Sequence, residues 1–439
     1  MRISTSGVRP LGSTYLQSLH IIVGVDVTFV ANDTRGGVEP YLALAREAVS
    51  RGHTVRAAAP EDYESEFSAA GVRYTPLRGV DRAAIAARSD QVSLRQMSRH
   101  VTELSRVWAR EVRELADGSD VLVAGIGGLA TAGPVAEALG VPLLRAHLQP
   151  LEAPSWSYPG ALAPQLDRLG PLGRRLSHAL TGAGTALLTR APEKAAREAL
   201  GLPRRSRAPL PSILYGFSPA VVPVRSDART TRIATGYWRL AAPSDEAVPS
   251  DLREFVSASD PIVSFGFGSM TADDSARLFE AVVDAVERVG VRAVLLTGWG
   301  GLAGGESSER VHVAASVPHS WLFPRMAATI HHGGAGTTGA ALAAGVPTLI
   351  VPFGADQLFW GRRAEALGAS PAPLPRKRLD ADRLSAALER MLRDGAMRER
   401  AASLGETLRA ERGASGAIDH VESAVTARPG RDRRPRSTG

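Results

Sequence analysis

Short apolar runs alternate with amphipathic stretches along most of the chain. Residues 25–32 read as a buried strand, 38–51 as a helix closed by Gly52, and 53–59 as the next strand, a βαβ unit. The same rhythm returns at 121–125, where an apolar strand leads into a helix of small residues ending at Gly140, with 141–144 as the following strand. A second series begins after the Pro-rich, charged stretch 219–249. Residues 261–265 form a strand, and Leu278, Val282 and Val286 recur at i, i+4 and i+8 on a helix opened by Asp273-Asp274 and closed by Gly290. Further apolar strands are expected at 293–297, 311–315, 328–331 and 346–351. Alternation of this kind predicts two doubly wound, parallel α/β sheets with helices on both faces. Ligands of such sheets bind beyond the carboxyl ends of the strands, so two facing sheets make a cleft. Residues 155–200, helix-like and rich in Arg and aromatics, break the rhythm; they either carry acceptor specificity or pack as plain helices.

The 439 residues, 44% hydrophobic and 22% charged, suit a multidomain globular chain, and the absence of cysteine excludes a disulfide scaffold, a thiolate zinc site and a thiol nucleophile. The formal charge of +7 is concentrated in the tail, where residues 428–439 hold five arginines against one aspartate. That tail is expected to be a solvated, disordered end, although it is able to touch phosphates or anionic lipid. Lys194 and Lys377 are the only lysines, and no basic patch points to nucleic acid. The apolar run at 21–30 contains Asp26 and precedes no cleavage site, and no stretch is long enough to cross a bilayer; a cytoplasmic protein is expected.

The segment His331-His332-Gly333-Gly334-Ala335-Gly336-Thr337-Thr338 leaves an apolar strand and enters a helix. Glycines let the backbone approach oxygen atoms closely, Thr337 and Thr338 add hydroxyl donors, and the free first-turn N–H groups favour an anion such as a diphosphate, held without metal. Adjacent residues on a strand point to opposite faces, so one of the two histidines faces the cleft and the pair is no chelate. Asp356-Gln357, ending the next strand, offers acceptors and donors suited to a polyol. The pieces fit a sugar diphosphate. Asp380-Ala381-Asp382 opens an amphipathic helix and reads as a cap, Gly266-Phe267-Gly268 lacks the remainder of a dinucleotide fingerprint, and no P-loop occurs.

With residues 316–325, the glycine segment, Gly345-Val346-Pro347 and residues 352–361 in this order, the chain resembles the family-1 glycosyltransferases, in particular the sterol glucosyltransferases and those that decorate glycopeptide and polyketide antibiotics. Residues 34–40, 218–223, 235–238 and 265–270 support the likeness, which covers about residues 25 to 425. The resemblance implies a GT-B fold with an N-terminal extension (1–24), an acceptor domain (25–222), a linker (223–249), a nucleotide-sugar domain (250–403), a helix crossing back (404–426) and the basic tail (427–439). It implies donor contacts from Thr34, Arg35, Gly36, Ser269, Val317, His319, His331, Gly333, Gly334, Gly336, Thr337, Thr338, Asp356 and Gln357, with His331 on the diphosphate, Val317 and His319 beside the base, and Asp356 and Gln357 on the sugar. Trp156 and Tyr158 are expected to bind the acceptor. The implied donor is UDP-glucose or a TDP-sugar, with no metal or other cofactor, and the partner is a lipophilic hydroxyl acceptor.

Two positions depart from the family. Ser316 stands where many relatives have a tryptophan, and Gly37 where they have a carboxylate or histidine as general base. A positioned base contributes about 10²–10⁴-fold. Either the acceptor is acidic and supplies its own anion, or an adjacent group substitutes: Asp33, at the end of the first strand, is the candidate, whereas Glu39 sits one turn into the helix as a dipole partner. The alternative is an auxiliary protein that lost catalysis with Gly37.

Overall fold

The computed structural model describes residues 24–79, 94–204, 206, 212–228, 230–257, 260–267, 272–298 and 307–426. Ser269 and the tail 427–439 lie outside them, as do residues 1–23 of the expected extension.

Seven parallel strands form the first sheet: β1 (Asp26–Val30), β2 (Thr54–Ala59), β3 (Arg73–Pro76), β4 (Val121–Ala124), β5 (Leu143–His147), β6 (Ile213–Tyr215) and β7 (Arg232–Ala234), in the order 3-2-1-4-5-6-7. Five form the second: β8 (Ile262–Gly266), β9 (Arg292–Leu296), β10 (Val311–Ala314), β11 (Ala328–His331) and β12 (Thr348–Ile350), in the order 10-9-8-11-12. Each sheet reverses its winding once, between β1 and β4 and between β8 and β11. Strands buried on both faces need apolar runs, and Val27, Phe29, Val121, Val123, Val263 and Phe265 supply them.

The boundaries differ from the expected ones in two places. β7 lies inside the stretch read as linker, because a three-residue edge strand carries too short an apolar pattern to separate from its Pro- and charge-rich surroundings. The helix expected to cross back from residue 404 starts at Gly413: helix Gly395–Ala410 still packs on helix Ala335–Ala344 of the second domain, and the chain turns at extended Glu411 before Gly413–Thr426 lies on helix Arg35–Ser50 of the first.

One core runs through both halves. Phe359 and Trp360, on helix Gln357–Ala366, are fully buried among first-domain aromatics: the Trp360 ring meets Phe217 edge-on at 5.9 Å and Phe359 meets Tyr158 at 6.1 Å. Tyr237 packs against Gly339 so closely that a Cβ there would come within 2.3 Å of the ring.

Arg51 fastens the returning helix. Its guanidinium donates to Asp419 Oδ1 (2.8 Å), Glu422 Oε1 (3.2 Å) and the Ser415 carbonyl (2.8 Å), while His53 bonds Glu422 at 2.8 Å. Arg51→Ala removes several charged hydrogen bonds at once, each worth roughly 1.5–3 kcal/mol. Residues 413–426 should then exchange their amide hydrogens faster and the melting temperature should fall; unchanged exchange there would show that apolar packing alone holds the helix.

Candidate functional site at the domain junction

The first sheet's reversal point forms the floor of a small pocket. Asn32 and Asp33 leave β1, residues 125–128 leave β4, and Leu148 and Gln149 follow β5. Gly127 and Gly128 make this convergence possible: a Cβ on Gly127 would lie 1.8 Å from the Asn32 carbonyl, and one on Gly128 2.3 Å from that of Val30. No side chain fits there.

Gly37 bears on the same pocket. A Cβ built on it would fall 2.2 Å from Asp33 Cγ and 2.4 Å from Oδ2, so the Asp33 carboxyl occupies the volume that a side chain at position 37 would take. Its Oδ1 accepts the Thr34 amide at 2.6 Å, which fixes the rotamer. Asp33 is half-buried, and Tyr41, buried below it, donates to the Ala146 carbonyl; burial, with the Asp33 charge, holds that phenol protonated.

From the second sheet, Asp356 comes to the same place. Its Oδ2 accepts the Trp360 indole N–H at 2.6 Å, and Gln149 of the first domain bonds its carboxyl as well. Burial raises its pKa, the bond from Trp360 opposes this, and the charge of Asp33 adds to the rise. The two carboxyls therefore sense each other across the junction. Gln357 Oε1 accepts the amides of Phe353 (2.6 Å) and Gly354 (3.1 Å), which leaves its NH₂ to donate. Ala355, just before the pair, has φ +50°, the only positive value outside glycine among the described residues. A left-handed non-glycine residue costs about 1–2 kcal/mol, and strain of this kind is held where it orients functional groups.

Two helix N-termini meet at the junction. Helix Arg35–Ser50 begins after Thr34 and helix Ala335–Ala344 after Gly334; neither has a side-chain cap or an acidic residue in its first turn. A Cβ on Gly336 would lie 3.6 Å from the Gly36 carbonyl, so the two first turns are neighbours. Both dipoles turn their partly positive ends toward this place, an electrostatic setting that favours an anion. Arg35 crosses it, its Nη1 donating to Ser316 Oγ at 2.8 Å. Beside Ser316, His319 stacks on Phe323 (4.5 Å between centroids, 12° between planes), and Val317 is buried below. Burial lowers the His319 pKa to about 4, with His332 and Arg35 adding to the shift.

The histidine assignment needs correction. His331, expected on the diphosphate, is 1% exposed and turned into the sheet: Nδ1 accepts the Gly333 amide at 3.0 Å, so the neutral ring carries its hydrogen on Nε2 and gives it to Thr348 Oγ1 at 2.9 Å. Neither nitrogen is left for a ligand. His332 is the histidine on the cleft side. Its Nε2 lies 2.6 Å from where a Cβ on Gly334 would stand, directly over the start of helix Ala335–Ala344, and its Nδ1 has no hydrogen-bond partner. Burial lowers its pKa and keeps the ring neutral. Thr337 is half-buried in the first turn; Thr338 is fully buried, with an unpartnered hydroxyl.

Tyr158 also departs from its expected role. It is 2% exposed, packed between Phe359 and His178, with its hydroxyl on the Ala153 carbonyl, and so serves the interdomain core instead of an acceptor. Trp156 is exposed and covered by the Arg175 guanidinium at 4.8 Å. Sequence reasoning passed over Gln149, Tyr41 and Trp360; only Trp360 left a signal, four residues after Asp356 and hence on the same helical face.

Residues 304–420 match the family model described as erythromycin biosynthesis protein CIII-like, C-terminal domain. A sterol 3-beta-glucosyltransferase of Debaryomyces hansenii is 32% identical over 423 residues, which is 90% of this chain and 26% of that protein. The chain thus spans about a quarter of that relative's length. Among solved structures, the glycotransferase of kitacinnamycin is similar with a TM-score of 0.66 and 23% identity, covering 91% of this chain and 99% of the other. A glycosyltransferase of Streptomyces sp. SF2575 complexed with thymidine diphosphate gives 0.60 and 22%, over 90% and 99%. The chain has the GT-B fold of these solved glycosyltransferases, and its residues 304–420 are similar to the erythromycin biosynthesis protein CIII-like C-terminal domain.

Proposed function

We propose that the chain is an inverting glycosyltransferase that moves a hexose, glucose in the first instance, from a UDP- or TDP-linked donor to a hydroxyl of a lipophilic, sterol-like or natural-product acceptor. The observation that carries this reading is the Asp33 carboxyl in the space that a side chain at Gly37 would take, in one pocket with Gln149 and within electrostatic reach of Asp356 from the second domain. It argues against the auxiliary-protein alternative. The likeness to a sterol 3-beta-glucosyltransferase and to a glycosyltransferase complexed with thymidine diphosphate supports the acceptor and donor classes.

In this reading the diphosphate lies between the two helix N-termini, with His332 donating one hydrogen bond and Arg35 closing over it. The His319–Phe323 stack and Val317 supply the nucleobase shelf that Ser316 leaves incomplete. Asp356 and the Gln357 amide take sugar hydroxyls. The acceptor hydroxyl gives its proton to Asp33 as its oxygen bonds the anomeric carbon, and the breaking sugar–phosphate bond leaves its electron pair on the diphosphate. The two dipoles stabilise that developing charge, which is the task otherwise given to a metal.

Incubation with UDP-glucose or TDP-glucose and a panel of sterols and phenols should give a product heavier by one hexose in mass spectrometry, in the presence of EDTA as in its absence. No product with any acceptor, alongside measurable nucleotide binding, would favour the auxiliary role.

The two histidines should separate in calorimetry with UDP and TDP. His332→Ala removes a donor to a charged ligand, about 1.5–3 kcal/mol or roughly ten- to a hundredfold in affinity. His331→Ala should instead lower the melting temperature. A loss of affinity confined to His331→Ala would overturn the assignment.

A further inference from the structure

Among the described residues nine large apolar side chains are exposed, and eight of them fall between residues 156 and 188. Helix Gly170–Ala199 carries most of them. Leu172, Leu176, Leu180 and Leu187 recur along one side, with Leu172 79% and Leu187 78% exposed; Leu188 is exposed as well but is turned out of this row by the helical period. The opposite side is committed to the protein: Ser177 and Thr181 are buried and bond the backbone of Gly160 and Leu162. From Leu176 to Thr189 no Asp, Glu, Lys or Arg interrupts the helix. That stretch is about 20 Å long at 1.5 Å per residue. At its start Trp156 and Leu169 broaden the patch, and Leu162, exposed too, lies beside Gly184 farther along the helix.

The rim is cationic. Arg168, Arg175 and Arg190 are exposed, and among the described residues none of them has a carboxylate in ion-pair range. Arg174 is neutralised by Asp167 at 2.5 Å, and Lys194 lies 3.8 Å from Glu198, which also binds Arg106. Glu193, half-buried, is the remaining carboxylate on this helix beyond Glu198.

We propose that this face docks on an anionic bilayer surface, with the leucines at the acyl boundary, Trp156 at the headgroup level, and Arg168, Arg175 and Arg190 on lipid phosphates. An in-plane helix with one apolar face and basic edges has this physics, and long arginine stems keep their charge in the headgroup layer while lying along apolar surface. No described helix is long and apolar enough to cross a membrane, so the contact is interfacial. A second copy of the chain is the poorer occupant: a two-fold contact through this face sets its three unpaired arginines against their own mates. The patch adjoins the domain junction, because Pro164 accepts from Arg362 at 2.6 Å and Tyr158 meets Phe359. Together with the proposed lipophilic acceptor, docking here would bring the cleft to the phase in which that acceptor dissolves.

Cosedimentation of the full chain with phosphatidylcholine vesicles, with or without phosphatidylglycerol, tests this without any turnover. Wild type should pellet with the phosphatidylglycerol vesicles and be released by salt. The triple variant Leu172→Gln, Leu176→Gln, Leu187→Gln should bind at least about tenfold more weakly with an unchanged melting temperature, and Arg168→Gln, Arg175→Gln, Arg190→Gln should lose the preference for phosphatidylglycerol. The proposal is overturned if wild type ignores both vesicles, if the leucine variant binds as well as wild type, or if those leucines instead abolish a concentration-dependent dimer while vesicle binding is nil.

Discussion

Trp360 does two jobs with one side chain. Its ring is buried against Phe217 of the first domain, and its indole N–H is given to the Asp356 carboxyl at the junction. The aromatic contact that joins the domains thus also sets the position of a site carboxyl. An aromatic pair contributes about 0.5–1.5 kcal/mol beyond its burial, and here that packing is shared with Phe359, Tyr158 and Tyr237, so the two sheets meet through a core and not through a wet, sliding interface. Asp33, Gln149, Asp356 and Gln357 come from opposite halves and need this fixed geometry to act together.

Electrostatics follows from the same arrangement. Two doubly wound sheets set with their reversal points toward each other bring two uncapped helix N-termini face to face, both partly positive. The carboxyls lie at the edge of that field, Asp33 held by the Thr34 amide and Asp356 by Trp360. Buried histidines with depressed pKa values contribute hydrogen bonds without adding charge. The junction therefore has a polarity, partly positive at the helix ends and negative at the carboxyls of Asp33 and Asp356, that comes from backbone direction as much as from side chains.

The long apolar strands and the glycine-rich turn were legible because each is local: period, glycine and hydroxyl spacing lie within a dozen residues. β7 was not, being three residues at a sheet edge. Strand alternation established that one of His331 and His332 faces the cleft but not which, since the deciding partner, Thr348, comes from the neighbouring strand. Tyr158 illustrates the same limit; its neighbour Phe359 lies two hundred residues away in the chain. Asp33 was readable as the nearest usable carboxyl to Gly37, but that it fills the missing side chain's own volume is a fact of three dimensions. For this reason Gly37→Asp alone cannot restore the family arrangement, because its Cβ would displace Asp33.

The central claim, that Asp33 replaces the base absent at position 37, is tested most directly by turnover on an unactivated alcohol acceptor. Asp33→Asn should lose about 10²–10⁴-fold in kcat, and the exchanged variant Asp33→Gly, Gly37→Asp should recover a substantial part of it. Asp33→Asn turning over the alcohol as fast as wild type would contradict the account and place the proton acceptor elsewhere.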